Sequence, residues 1–341
     1  MPANQAAQNQ HYVPKFILRN FLADTKGQRV HVFRKPTQKG FTTSIDNIMA
    51  ERRFHEFHIE DNLIASFEGA VCDIENALLP TYRAVLERGT LDGSPEEKVN
   101  LISFIAFQFV RTRAQRDLFR DLQIQLDDRL GPEVVEGLDL GPQTEEERVL
   151  QHLRFMEEAT PGFVAAMMDK DLALMKAPKG RSFYLSDNPV VLHNDKGKDS
   201  FYGNLGLAVE GIQIYLPLSA ELMLCAWCPT LMAGMKEQHA VDKRRLASVM
   251  LAPFMGKIPA NDYLQKQLDK LRPILKFREA WIKHVADGTP MVLNTDNMDF
   301  HNSLQVMSAS QHVVCKYADF ALATRFMKEN PNDKGFRFRV N

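Results

Sequence analysis

Apolar positions recur along this chain with two periods, and the change from one to the other divides it. Between residues 61 and 79, Leu63, Ile64, Phe67, Val71, Ile74 and Leu78 fall on one stripe, the spacing of an amphipathic helix. Pro80 interrupts that stripe, and it resumes over 82–88. Ser94-Pro95-Glu96-Glu97 supplies an N-cap, a proline at the first helical position and acids in the first turn. It predicts a helix running to about Leu126. Repeated Gly and Pro make 131–143 a loop, and 145–176 reads as helical again. After Pro178 the segments 182–193, 211–218 and 222–227 are short and rich in aromatic and β-branched residues. They read as strands of a mainly antiparallel sheet. Helices return over 240–250, 262–285 and 296–310, with a last strand pair at 312–316 and 336–340. At the start, 11–22 reads as a short helix begun by Pro14, 29–34 as a strand, 35–40 as a turn and 54–59 as another strand. The expected fold is α+β, a helix-rich N-terminal half packed with a small, mainly antiparallel sheet and further helices. Residues 1–10 read as a flexible tail and 11–341 as a single compact domain. Within it a helical subdomain covers about 60–176, and the sheet-containing part covers about 180–341 plus 11–59.

Composition narrows the class. The chain has 341 residues, 45% of them hydrophobic, which is enough for a substantial core without disulfide or metal staples. Lys and Arg total 42 against 43 Asp and Glu, a net charge of -1, so a dedicated nucleic-acid coat is excluded and any such contact must be a local patch. Four cysteines at irregular spacing do not read as a disulfide framework. The first ten residues lack the charge and apolar stretch of a signal peptide, and the most apolar run, 101–110, is too short to span a membrane. A cytoplasmic location without a membrane partner is expected. Nothing in the sequence sets the oligomeric state.

Polar residues in apolar surroundings are the candidates for chemistry. Gln108 and Arg111 share a face at the end of a stretch that is apolar nearly all round, and buried amides and guanidiniums require partners. The partner is a structural ion pair with Glu68 or Glu75, or a ligand. Glu68 borders its helix stripe, either as a solvated rim residue or as a carboxylate aimed into a cleft. Asp187 lies in Ser186-Asp187-Asn188-Pro189 between apolar triplets, a place for a metal ligand or general base and equally for a turn that caps its own backbone. His11-Tyr12-Val13-Pro14-Lys15 gathers an imidazole, a phenol and an amine, or else anchors the N-terminus. Arg113, Arg116 and Arg120 form a solvated helix face or a nucleic-acid patch. Two spacings only imitate known sites. Cys225-x-x-Cys228 sits in an apolar strand, as core cysteines do. His55-Glu56-Phe57-His58 is one residue short of the zinc-protease motif.

The string HYVPKFILRNF at 11–21 resembles the opening H-Y-V-P-x-x-x-L-R-x-F of a bacterial family, domain of unknown function 4238. The resemblance continues through Glu60 and Glu68 in IEDNLIASFE, Gln108, Arg111 and Thr112 in FQFVRT, Ser186, Asp187 and Pro189 in SDNPV, then Pro217, Leu218 and Asn302. The family lends no activity. Its motifs do coincide with the physically awkward residues, which is the pattern of an active site. The expectation is a hydrolase of a phosphodiester or related bond, nuclease-like, with His11, Glu68 and Asp187 as catalytic residues. Lys15, Arg19, Gln108, Arg111 and Asn302 would bind the substrate, a nucleic acid or a nucleotide. Glu68, Asp187 and His11 are also the candidate ligands for Mg²⁺ or Mn²⁺. A role in phage defence or as a toxin-like effector accompanies this expectation. The alternative is a non-catalytic sensor, or a ligand- or nucleic-acid-binding module.

Overall fold

The computed structural model describes residues 9–24, 26–60, 63–131, 144–195, 205–251 and 262–335. Its architecture is α+β. The larger sheet has the order β12-β7-β11-β10-β9, from β7 (Asp171–Lys176), β9 (Val191–His193), β10 (Gln213–Pro217), β11 (Leu222–Trp227) and β12 (Met291–Val292). Every pairing in it is antiparallel except β12 with β7. Side chains alternate across a strand. Leu174, Ile214, Leu216, Leu224 and Ala226 therefore enter one core, which also holds Tyr12, Leu18, Phe21, Tyr82, Ile102 and Ile105. Ala173, Met175, Tyr215, Met223 and Cys225 enter another, closed by Trp281, Met298 and Leu304. Both faces of β11 are covered, which is why LMLCAW carries no polar alternation and all six residues are buried.

A second sheet, β3-β2-β13-β8, ties the two ends of the sequence together: β2 (Arg29–Arg34), β3 (Lys39–Ser44), β8 (Leu185–Ser186) and β13 (His312–Cys315). Among the described residues two ribbons complete the strands, β1 (Asn9–His11) with β4 (Ala50–Arg52), and β5 (Glu56–Glu60) with β6 (Leu63–Ser66). The helices are α1 (Lys15–Leu18), α2 (Glu68–Arg88), α3 (Pro95–Val110), α4 (Arg113–Leu130), α5 (Glu145–Met167), α6 (Pro229–Leu251), α7 (Asp262–Asp287), α8 (Thr295–Ser308) and α9 (Ala321–Glu329). Ser94 Oγ accepts the Glu97 amide at 3.1 Å, the cap its sequence calls for. Thr144 and Glu147 close a reciprocal capping box at the start of α5. Among the described residues no helix is long and apolar enough to cross a membrane.

Several expected elements differ. The helix expected over 11–22 shrinks to α1 and a following 3-10 turn (Arg19–Phe21), because residues 9–11 pair with 50–52 as a strand. The helix expected from 61 begins at Glu68, since Leu63–Ser66 folds back on β5. Pro80 lies within α2 rather than breaking it. It stands on the exposed side of the helix, where the carbonyl that loses its N–H partner faces water. The helix expected from 95 to 126 is broken at Arg111 and Thr112, and the one expected over 145–176 ends at Met167, leaving 171–176 to the sheet. The expected strand at 336–340, and most of the expected tail and of the loop over 131–143, lie outside the described residues; Asn9 and Gln10 belong to β1.

Candidate functional site

The helix α3 carries its two polar residues toward the N-terminal segment. Gln108, 0% exposed, donates from Nε2 to the Tyr12 carbonyl at 3.0 Å. Arg111, 1% exposed, donates from Nη2 to the His11 carbonyl at 2.7 Å and from Nη1 to Glu75 Oε1 at 2.5 Å. Its guanidinium carbon stands 5.0 Å from the centre of the Phe107 ring. Glu75 is thus the acidic partner that the sequence required, one of the two it offered. Both side chains hold the main chain of His11 and Tyr12. The His11 ring donates from Nε2 to the Ile45 carbonyl at 2.9 Å, and burial pushes its pKa down against that bond. Lys15 pairs with Asp46 at 2.5 Å, and Arg19 is exposed on the 3-10 turn.

A second polar layer lies beside the first. His55 Nδ1 donates to Glu68 Oε2 at 2.7 Å, so Nε2 keeps its lone pair, and burial lowers the pKa and holds the ring neutral. The His55 amide donates to Gln10 Oε1 at 2.5 Å, and Gln10 Nε2 donates to Glu56 at 2.9 Å. Arg116 lies over the Phe54 ring at 3.6 Å and donates to the Phe54 carbonyl. Burial lowers its pKa to about 10. His152 donates from Nε2 to the Val110 carbonyl at 2.9 Å; burial, with Arg116 nearby, lowers its pKa to about 3.

Asp187, 4% exposed, belongs to a third cluster. Its Oδ1 accepts the Ser310 amide at 2.8 Å; its Oδ2 accepts those of Gln311 at 2.8 Å and His312 at 3.0 Å. Burial pushes its carboxyl upward against the three amides, which favour the charged form. The helix α8 grips the same segment. Asn302 accepts the Tyr184 amide and donates to the Ser182 carbonyl, and Gln305 accepts from Ser186 and donates to the Pro189 carbonyl. Asn188 bridges Thr112 to Ser308. Lys35, buried, donates to the Val306 carbonyl at 2.8 Å, to that of Ala309 at 2.7 Å and to Asp333 at 2.6 Å.

The expected site residues therefore divide among separate polar clusters. Arg111 reaches His11 only through its carbonyl. Among the described residues no hydrogen bond or ion pair joins Glu68 to Asp187, or either to the His11 ring. Nor do three His, Cys, Asp or Glu side chains gather there as a metal-ligand set. Glu68, Asp187 and His11 thus do not fit Mg²⁺ or Mn²⁺ as a common site. Cys225 and Cys228 carry no disulfide and are buried.

The feature most suited to a ligand lies elsewhere. Between α2, α3 and α5 opens a cleft of about 640 Å³. One wall is the α2 stripe Phe67, Ala70, Val71, Ile74, Ala77 and Leu78; α3 contributes Phe107 and Ser103 as the floor. Leu153, Met156 and Val164 line the α5 side, with Glu157, Thr160 and Pro161 as its polar or backbone-altering members. Ile74 is 40% exposed at the opening. The floor joins the polar layers directly, because the Phe107 ring separates the cleft from Arg111 and Phe67 donates its amide to the His55 carbonyl at 2.9 Å. The α2 stripe is legible in the sequence as an amphipathic helix face; that it lines a hollow is not. The alanines at 70 and 77 beside Phe67 and Ile74 were the only local sign of a hollow.

Fold and clusters together define an α+β protein whose N-terminal strand is clamped by buried polar side chains and whose helical layer opens an apolar cleft. The chain belongs to the family described as Protein of unknown function (DUF4238), which matches residues 9–319. No curated protein matches it, and no solved structure does.

Proposed function

We propose that this chain is a binding protein, and that the cleft between α2, α3 and α5 receives an apolar small molecule. The observation that carries this reading is the cleft itself. Its 640 Å³ falls within the roughly 300–1,000 Å³ of ligand pockets, and its walls are mostly apolar with a few polar groups on one side. The walls are held by the buried polar layers, which supports a preformed site rather than one moulded by its ligand. Hydrolysis of a phosphodiester draws less support, because both oxygens of Asp187 are engaged by backbone amides and Glu68 holds His55. On this reading the chain acts as a sensor or carrier in a reducing, cytoplasmic compartment, which its four unpaired cysteines suit.

The test is titration with Nile red, a neutral dye that brightens in apolar surroundings. Wild-type protein is expected to bind it. Ala77→Trp, which places an indole in the cleft from an exposed helix position, is expected to weaken binding at least tenfold with an unchanged melting temperature. No binding by the wild type, or equal binding by the variant, would refute the proposal.

A further inference from the structure

The shape and polarity of this cleft specify its occupant more narrowly, provided that the binding reading holds. The lining stretch from Phe67, the N-cap of α2, to Leu78 covers eleven rises of about 1.5 Å, or about 16 Å. The α5 wall from Leu153 to Val164 covers the same eleven rises, so the cleft is an elongated groove. An extended chain lies along it. Extended backbone advances about 3.8 Å per three bonds, so 16 Å holds roughly a dozen.

Apart from the Ser103 hydroxyl on α3, the polar groups sit together on one turn of α5, and the chemistry of that turn is one-sided. Glu157 offers a carboxylate. Its carbonyl is the one that Pro161, lacking an N–H, leaves without the usual helix donor. Thr160 Oγ1 spends its proton on the Met156 carbonyl at 2.5 Å, so toward the cleft it can only accept. Among the described residues no Lys, Arg or His lines the cleft. At this turn a carboxylate or phosphate head would meet a like charge, whereas a donor head meets the Glu157 carboxylate and the Thr160 hydroxyl oxygen.

We infer that the ligand is a linear apolar chain of about a dozen carbons ending in a cationic, hydrogen-bond-donating head, a long-chain amine rather than a fatty acid. Glu157 is the residue that selects the head, and the stripe from Phe67 to Leu78 receives the tail.

Displacement of bound Nile red by dodecylamine, dodecanol and dodecanoate, each below its micelle concentration and at 0.15 M salt, tests this. Dodecylamine is expected to displace the dye about tenfold more tightly than dodecanoate, the size that attraction and repulsion at an exposed carboxylate give together. Dodecanol should fall between them. Glu157→Gln is expected to bring amine and carboxylate within about threefold while dodecanol is unchanged. Equal displacement by amine and carboxylate in the wild type, or a gap that survives in Glu157→Gln, overturns the assignment of the head. Dye binding that none of the three chains displaces overturns the linear tail, and the binding reading stands. If Nile red does not bind at all, that reading falls and this inference falls with it.

Discussion

Replacing Arg111 by alanine removes the group that joins α3 to both α2 and the N-terminal strand. Its charge-assisted hydrogen bond to the His11 carbonyl is of the kind that contributes about 1.5–3 kcal/mol. The stack on Phe107 adds about 0.5–1 kcal/mol. Glu75 is 24% exposed and recovers water when its partner is lost, so that pair contributes about 1 kcal/mol, less than a fully buried one. Together these give about 4 kcal/mol. With 341 residues and about 2.1 cal/mol/K of unfolding entropy per residue, the melting temperature should fall by about 5–6 °C. Calorimetry measures the fall. Hydrogen exchange gives its location, because the amides of residues 10–12 should lose protection before those of β11. Arg111→Lys keeps the charge without the two-pronged geometry and should lie between. A drop under 2 °C in Arg111→Ala, with protection of residues 10–12 intact, would show that this clamp contributes little.

Asp187→Asn keeps the shape but turns a donor toward backbone amides, so it should cost about 2–4 kcal/mol and loosen exchange at 310–312; a variant as stable as wild type would contradict the cap. His152 has its pKa lowered to about 3 and His301 to about 4, both mainly by burial, so the unfolded chain takes up protons that the folded one refuses. Their stabilisation is complete above about pH 6.5 and is lost as pH falls toward 4, by about 1.4 kcal/mol per pH unit for each. His152→Gln should make the acid slope of the melting temperature shallower by one proton, and an unchanged slope would refute this. Gly288 has φ +64° and stands where a Cβ would lie 2.5 Å from the Leu91 carbonyl oxygen. Gly288→Ala should therefore cost about 2 kcal/mol or more from the backbone conformation and the clash, measured by chemical denaturation.

The parts of this fold that could be read from sequence were those with a single physical solution. The strand β11 has no polar residue to place outside, so it must be central, and Ser94 with Glu97 can only begin a helix. Leu63 and Ile64 fit a helix stripe and a hairpin alike; the choice falls to the tertiary partner β5. The burial of Gln108 and Arg111 followed from their apolar neighbours, and Glu75 was one of two reachable acids. That their other partners are carbonyls of residues 11 and 12 was invisible, because a carbonyl carries no sequence label. The cleft was hidden for a different reason. A stripe that lines a hollow and a stripe that fills a core have the same periodicity, and only the distance between neighbouring helices separates them.

The ribosome delivers the two ends of the small sheet far apart in time. Lys35 is made 271 residues before the Val306 carbonyl that it bonds, and β2 waits equally long for β13. At about 5–20 residues per second that interval is about 15–55 s. Throughout it β2 has only the hairpin partner β3, and the Phe33 side chain that will face β13 is uncovered. The first folding unit available to the nascent chain is instead the N-terminal strand with α2 and α3, complete once Arg111 has emerged. A chain stalled after α3 should therefore protect residues 10–12 from protease while leaving 29–44 open to it. The early clamp keeps the N-terminus in place until the last strand arrives to finish the sheet.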